Sequence, residues 1–245
     1  MMRNKNMNEP QDPQCVQTSV TGSAVVKKKV LNLYAGLGGN RKKWDDDLYT
    51  ITAVELDEKI ASVYKNNFPN DILIIGDAHK FLKENHQDYD IIWSSPPCQK
   101  HSKMMKATRH KVADYIDINL YQEIIFLQHF FKGKFIVENV KPYYEPLIKP
   151  TKTLGRHLLW SNFEISDFEM PNIKGFITAG TVAETEKLKE WLGIKYEGNI
   201  YYKGNHCPGQ VLRNCVHPDF GKHIFDCLEN NLKHIENQMF LFTDS

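Results

Sequence analysis

From Lys28 onward, short apolar runs recur along the chain and segments with helical spacing fill the gaps between them. Val30–Tyr34, Ile51–Glu55, Ile72–Ile75, Asp90–Trp93 and Lys134–Val137 each read as a strand. In residues 57–68, Ile60, Val63, Tyr64 and Asn67 share one helical face. In residues 114–131, Ile118, Tyr121, Ile125 and Gln128–His129 line up, and Phe126 and Phe130 widen the stripe. Strands alternating with helices predict an α/β chain built from βαβ units, with a mainly parallel, doubly wound sheet. Such sheets bind ligands at the carboxyl ends of their strands. Beyond Pro150 the alternation weakens. Leu158–Ile165 predicts a further strand or hairpin, residues 166–183 a loop-rich stretch, Glu184–Leu192 a helix and Asp219–Ile235 a last one. Residues 1–27 are polar and aperiodic and read as a disordered or loosely attached tail.

A length of 245 residues bounds the chain to one large domain, or one with a small appendage. Lys and Arg number 31 against 30 Asp and Glu, a net charge of +1. A nucleic-acid partner would therefore have to be held by a local patch. No apolar run approaches the roughly 18 residues that cross a bilayer, and the first residues lack an apolar secretory core. The cysteines, Cys15, Cys98, Cys207, Cys215 and Cys227, are odd in number and form no CxxC. That pattern predicts a reducing, cytoplasmic setting.

The candidate chemistry lies at the strand ends. The first strand runs into Tyr34-Ala35-Gly36-Leu37-Gly38-Gly39, where glycines allow close backbone approach to a ligand or simply make a tight turn. Glu55, at the end of the second strand, can accept both hydroxyls of a ribose, and Asp77, after the third, can accept an adenine amino group. Together these three ends favour a nucleoside ligand needing no phosphate grip. The fourth strand ends in Ser94-Ser95-Pro96-Pro97-Cys98-Gln99, where two prolines stiffen the approach to a cysteine. Cys98 is either a nucleophile or a small buried hydrophobe. The fifth strand ends in Val137-Glu138-Asn139-Val140. An acid leaving an apolar strand is partly desolvated, which favours its protonated form; an ordinary loop acid or a helix cap is the other reading. Cys98 and Glu138 on adjacent strand ends supply a nucleophile and a general acid to one small planar substrate.

In this order, YAGLGG, VELD, GDA, SSPPCQKHS and IVENV resemble the motif series of the DNA (cytosine-5) methyltransferases. The resemblance covers residues 28–165 and continues in Leu212-Arg213-Asn214-Cys215, with a remnant in Trp191-Leu192-Gly193-Ile194. It implies a class I S-adenosylmethionine-dependent methyltransferase fold and transfer of a methyl group to carbon 5 of a flipped-out cytosine. It further implies that Cys98 attacks carbon 6, with Gln99 beside it, and that Glu138 holds ring nitrogen 3, with Asn139 beside it. Arg156 matches the family's arginine motif, which normally carries more than one arginine. The cofactor would be held by Tyr34, Ala35, Gly36, Gly38, Gly39, Glu55, Leu56, Asp77, Ala78, Pro97 and Asn214. Asn32 stands where an aspartate is common. On this reading residues 28–165 are the catalytic and cofactor-binding domain and residues 166–205 a small target-recognition region. Residues 206–245 then carry a late motif and a helix returning to the catalytic domain.

Lys100, Lys103, Lys106, Arg109 and Lys111 fall within twelve residues without an acid. Such a run is either a solvated loop or, starting beside Cys98, a surface for duplex DNA phosphates, with Ser102 alongside. Met104 and Met105 would then pack into the gap left by the flipped base. Lys174, Lys187, Lys189, Lys195 and Lys203 are further candidates for phosphate contacts. The small recognition region predicts a short DNA site or a second subunit for recognition. His206, Cys207, Cys215, His217, His223 and Cys227 match no common zinc spacing, so no metal is expected. A tRNA cytosine-5 methyltransferase and a catalytically silent DNA-binding subunit are the alternatives. Amino-methylating enzymes, which use an aromatic where Cys98 stands, are a third.

Overall fold

The computed structural model describes residues 26–97, 118–171, 182–201 and 207–243, with side chains of the last helix described to residue 235. A seven-stranded sheet has the order β3-β2-β1-β4-β5-β7-β6. Its strands are β1 (Lys28–Leu33), β2 (Tyr49–Glu55), β3 (Ile72–Ile75), β4 (Ile91–Ser94), β5 (Lys134–Val140), β6 (Lys152–Leu154) and β7 (His157–Ser161). The first five run parallel, whereas β7 is antiparallel to β5 and β6 to β7. The chain winds outward from β1 to β3, returns to β4 on the other side of β1, and so leaves a switch point between β1 and β4. This is the doubly wound, mainly parallel sheet that the sequence predicts.

Both faces of the sheet are covered, which explains the continuous apolar runs. Side chains alternate between faces. Val30, Ile91, Trp93, Ile136 and Leu159 enter one core, and Leu31, Ile92, Phe135, Val137 and Leu158 enter the other. The first core is closed by Phe220, Ile224, Phe225 and Leu228 of α6 (Pro218–Thr243) and by Trp44, which stacks on Phe225 at 4.0 Å. The second is closed by α2 (Ala78–Asn85) and α3 (Asn119–Phe130). The helix α1 (Glu58–Asn67) starts at Asp57, whose side chain accepts from the N–H groups of Lys59 and Ile60. The remaining helices are α4 (Val182–Leu192) and the short α5 (Gln210–Arg213).

Three expectations are corrected, and one helix was not expected. The first strand stops at Leu33, because Tyr34 turns into the left-handed region at φ 56°. The apolar face of α3 is Leu120, Tyr121, Ile124 and Leu127, whereas Ile118, Ile125 and Phe130 are exposed. An acid, Glu123, sits inside that buried face and disguises its register. The fifth strand does not end at Val137. Its parallel partner β4 stops at the Ser94–Val137 pair, but β7 carries the ladder on to the Val140–His157 pair. Glu138 and Asn139 therefore lie within a strand and not in a loop. Finally, α2 is a helix the apolar spacing does not announce, since only Ala78 and Leu82 of its eight residues are buried.

The segment between β1 and β2 is clamped from behind by the chain that leads into α6. A Cβ on Gly39 would lie 2.2 Å from the Val216 carbonyl oxygen, and one on Gly221 would lie 2.1 Å from that of Asn40. Gly221→Ala is expected to cost about 1–3 kcal/mol through forced backbone displacement, read as a lower urea midpoint. His217 caps α6, its Nδ1 accepting from the Asp219 N–H at 3.1 Å. Burial, with Lys43 nearby, holds its pKa below the ordinary 6.5, despite the opposing pull of Asp219 and a backbone hydrogen bond to Trp191. The unfolded chain therefore takes up this proton first. The cap's contribution is complete above about pH 6.5 and is lost as pH falls through the depressed folded value. His217→Asn, a cap that does not titrate, is expected to lose less stability than the wild type between pH 7.5 and pH 5, measured by urea unfolding at both.

Candidate active site

The carboxyl ends of β1, β2 and β3 form one half of the rim. Glu55 is half-buried, and its orientation is set by three backbone donors. Gly36 N–H donates to Oε2 at 2.9 Å, and the N–H groups of Leu56 and Asp57 donate to Oε1 at 2.9 and 3.0 Å. Leu56 is 71% exposed, and Ile75, which pairs with Glu55 in register, is 54% exposed. Two bare apolar side chains beside an oriented carboxylate make a place for a planar, hydroxyl-bearing ligand. Asp77 is exposed at the N-terminus of α2, where its Oδ1 caps Lys80 N–H at 3.0 Å and Ala78 is buried behind it. Ile75 has no counterpart among the residues singled out from sequence. Its signal is an apolar residue ending an edge strand.

The glycine loop shows more packing than ligand clearance. Gly38, at φ 80°, has no room for a Cβ, which would lie 2.2 Å from the Phe68 ring. Gly39 is occupied by the backbone of Val216, as above. Ala35 is buried, while Gly36 is partly open and gives its N–H to Glu55. Cys215 packs behind the loop. Burial pushes its thiol up to about 12, and its Sγ–H donates to the Val211 carbonyl at 3.4 Å. The neighbouring Asn214 is exposed and follows the last turn of α5.

A fully buried carboxylate, Glu123, joins the two halves of the rim. Its Oε1 accepts from the Tyr34 hydroxyl at 2.5 Å and lies 3.0 Å from His79 Nδ1. Its Oε2 accepts from the Ser94 hydroxyl at 2.6 Å. Tyr34 follows β1, Ser94 ends β4 and His79 lies in the first turn of α2 after β3, so one side chain of α3 fixes three exits from the sheet. An acid on the apolar face of a helix is its signal in the sequence.

The other half of the rim is built on β4, β5 and β7. Because Ser94 pairs with Val137, Ser95 falls opposite Glu138, and its hydroxyl donates to Glu138 Oε2 at 3.0 Å. Asn139 Nδ2 donates to the Pro96 carbonyl at 3.0 Å. Glu138 is 6% exposed, and its desolvation is met by donors. His157 Nδ1 lies 2.6 Å from Oε1. His157 in turn faces Arg156, whose Nε donates to His157 Nε2 at 3.3 Å and whose Nη2 donates to the Arg213 carbonyl at 3.4 Å. The chain leading to the cysteine is thus pinned to β5 as far as Pro96, and Pro97 is exposed beyond it. Cys98, Gln99, Ser102, Lys103, Lys106 and Arg109 lie outside the described residues, as do Lys100, Met104, Met105, Lys111, Lys174, Lys203, His206 and the segment 1–25. The structure brings Glu138 and Asn139 onto Ser95 and Pro96, with Arg156 reaching Glu138 through His157, and it places Gly36, Glu55 and Leu56 together.

One candidate phosphate ligand is corrected. Lys189 is buried, with its ammonium donating to Glu186, to the Tyr196 carbonyl at 2.9 Å and over the Tyr196 ring at 4.0 Å. It staples the chain after α4 and is not available to a phosphate. Leu188 and Leu192 of the same helix pack with Leu37 and Ile60. Among the described residues no group of three or more His, Cys, Asp or Glu side chains is arranged to hold a metal ion, and no helix is long and apolar enough to cross a membrane.

Tyr34→Phe removes one of the donors to a carboxylate that has no access to water. It is expected to destabilise the fold by about 1.5–3 kcal/mol, and Glu123→Gln in the same background should add less than it does alone. Urea unfolding of the two single variants and the double variant checks this.

The C-5 cytosine-specific DNA methylase family matches the chain over residues 28–153, just over half of its 245 residues. A tRNA (cytosine(38)-C(5))-methyltransferase of Spodoptera frugiperda is 34% identical over 76 residues, which is 29% of this chain and 23% of that protein. The chain thus spans under a quarter of that relative's length. Among solved structures, a DNMT2 variant from Spodoptera frugiperda is 29% identical over 47% of this chain and 36% of that one, with a TM-score of 0.34. A SAM-dependent methyltransferase from Agrobacterium tumefaciens is 20% identical over 49% and 40% of the two chains, with a TM-score of 0.35. The matched span begins at β1, takes in the glycine loop, Glu55, Asp77, Cys98, Glu138 and Asn139, and ends in β6; the chain belongs to the C-5 cytosine-specific DNA methylase family, whose methyl donor is S-adenosylmethionine.

Proposed function

We propose that this chain methylates carbon 5 of cytosine in duplex DNA. One observation carries the reading. A buried glutamate on β5 is tied by Ser95 and Asn139 to the segment that leads, two residues after Pro96, to Cys98. A nucleophile in the segment that follows β4 and an acid on the neighbouring strand β5 suit a substrate attacked at one ring position and held at another.

On this reading the Cys98 thiolate adds to carbon 6 of the cytosine ring. Glu138 holds a proton at ring nitrogen 3, so the electrons released by the addition make carbon 5 nucleophilic. Bound S-adenosylmethionine supplies an electrophilic methyl group to that carbon. Loss of the carbon 5 proton to solvent water then expels the Cys98 thiolate and restores the aromatic ring, the spent donor leaving as its thioether, S-adenosylhomocysteine. The residues on the other half of the rim fit the donor. Glu55, oriented by Gly36, Leu56 and Asp57, takes the ribose hydroxyls, Leu56 and Ile75 flank the adenine, and Asp77 takes its amino group. A base stacked in a duplex is out of reach of such a site, so the cytosine must be flipped out. Lys103, Lys106 and Arg109, with Ser102, would hold the flanking phosphates. Arg156, beside His157, faces the same end of the sheet. Residues 166–205 would recognise the target sequence, either at a short site or with a second subunit.

The tRNA-methylating relative supports a second reading, in which the same chemistry acts on a structured RNA. Transfer of labelled methyl from S-adenosylmethionine to duplex DNA and, in parallel, to tRNA tests both. Label in DNA is expected. It should be abolished in Cys98→Ser and reduced by roughly 100-fold or more in Glu138→Gln. Label in tRNA alone would move the substrate to RNA, and label that survives Cys98→Ser would overturn the thiol mechanism.

A further inference from the structure

The pair formed by Glu138 and His157 is absent from the motif series that identifies the family, and it deepens the methyl-transfer reading on which it rests. We propose that His157 is a positioning residue: it fixes the carboxyl group of Glu138 through an Nδ1–H···Oε1 hydrogen bond whose polarity Arg156 dictates.

The pairing follows from the sheet. Glu138 pairs with Leu159 across the antiparallel ladder. His157, two residues earlier on β7, shares the face of Leu159 and therefore stands diagonally across from Glu138. The 2.6 Å contact joins two buried side chains, Glu138 at 6% and His157 at 2% exposed. Neutral histidine carries its proton on either nitrogen, and the partner of one nitrogen decides the other. Here Arg156 Nε, which can only donate, points at Nε2 from 3.3 Å. Nε2 must accept, so the proton sits on Nδ1 and is given to Glu138. The opposite oxygen is treated alike. Trp93 Nε1–H, also an obligate donor, points at Ser95 Oγ from 2.8 Å, leaving the serine proton for Glu138 Oε2 at 3.0 Å. Obligate donors therefore set the polarity at both ends, and both oxygens of the carboxyl group are held.

Packing completes the device. The His157 ring lies against Phe220 of α6, with centroids 4.9 Å apart, and Arg156 is itself tied to the Arg213 carbonyl. The imidazole cannot turn without disturbing α6. The resemblance leads one to expect several arginines near this acid. In this chain the single Arg156 acts at one remove, and His157 makes the contact. The gain is orientation. A carboxyl group already fixed in rotation meets the ring nitrogen without searching for its place.

Three substitutions separate this role from bulk. His157→Leu keeps volume and removes the donor. His157→Asn places an amide N–H where Nδ1–H stands, whereas His157→Gln places its amide nearer the position of Nε2. Single-turnover methyl transfer is expected to fall roughly 10- to 100-fold in the Leu and Gln variants, with S-adenosylmethionine affinity within about twofold, and to return to within about threefold of wild type in the Asn variant. An Asn variant as slow as the Leu variant, with unfolding midpoints unchanged, would overturn the proposal. Should the Leu variant fail to fold, the comparison of Asn with Gln decides. An independent readout is the ¹H–¹⁵N correlation spectrum of the imidazole. It should show a strongly deshielded proton on Nδ1 that is lost in Glu138→Ala. A proton on Nε2, or a signal indifferent to Glu138, would overturn the proposal without reference to activity. A wild type that labels neither DNA nor tRNA would end the methyl-transfer reading, and with it the catalytic meaning of the pair, while the spectrum still reports whether the bond is preset.

Discussion

A carboxylate removed from water must be met by donors, and the ligand-binding edge of this sheet is organised by that requirement. Three glutamates stand there, and each draws its donors from a different pair of elements. Glu55 takes backbone N–H groups from the glycine loop and from the turn into α1. Glu123 takes hydroxyls from the ends of β1 and β4. Glu138 takes a hydroxyl from Ser95, just past β4, and an imidazole from β7. Through these acids the carboxyl ends of β1, β2, β4 and β5 and the start of the antiparallel β7 are joined. A rim built this way stands in place before a ligand arrives, which lowers the ordering cost of binding.

The two serines that follow Trp93 show how finely the arrangement is divided. Ser94 and Ser95 are consecutive in an extended chain, so they point to opposite faces. Ser94 reaches Glu123 on the α3 side, and Ser95 reaches Glu138 on the other. The segment approaching Cys98 is thereby fastened to both cores, with Asn139 holding the Pro96 carbonyl as a third tie. Two prolines alone would stiffen this segment without choosing its direction. The hydrogen bonds choose it.

The sequence displays the parts of this structure whose causes are local. The near-continuous apolar runs Val30–Leu33 and Phe135–Val137 mark strands buried on both faces, and Asp57 marks the start of α1. The acids at the ends of β2 and β3 are legible because strand ends are. What escapes is set by residues distant in the chain. The true face of α3 is hidden because Glu123 counts as polar until Tyr34 and Ser94 are seen to meet it, 89 and 29 residues away. The extension of β5 past Val137 depends on an antiparallel partner that begins at His157. Gly38 and Gly39 suggest ligand contact, yet their missing side chains answer to Phe68 and Val216. His157 carries a signal of its own, a histidine at the head of the otherwise apolar run His157-Leu158-Leu159-Trp160. Only the ladder shows what it faces.

Long-range closure also bears on how the site is assembled. The glycine loop lies near the start of the described chain, but its back is formed by Cys215 and Val216, and Asn40 lies against Gly221 at a distance that admits no side chain. On the other half of the rim, Phe220 of the same segment packs on the ring of His157. Residues 215–221 thus touch both the loop that would carry the donor and the pair that would carry the acid. Neither half has its final shape until α6 has docked. Contacts spanning about 180 residues form late, because chain entropy must be lost before they are rewarded. Competence to bind the donor and competence to hold the base are therefore expected to arise in one step with the docking of α6, and a partly folded chain with a finished parallel sheet would possess neither.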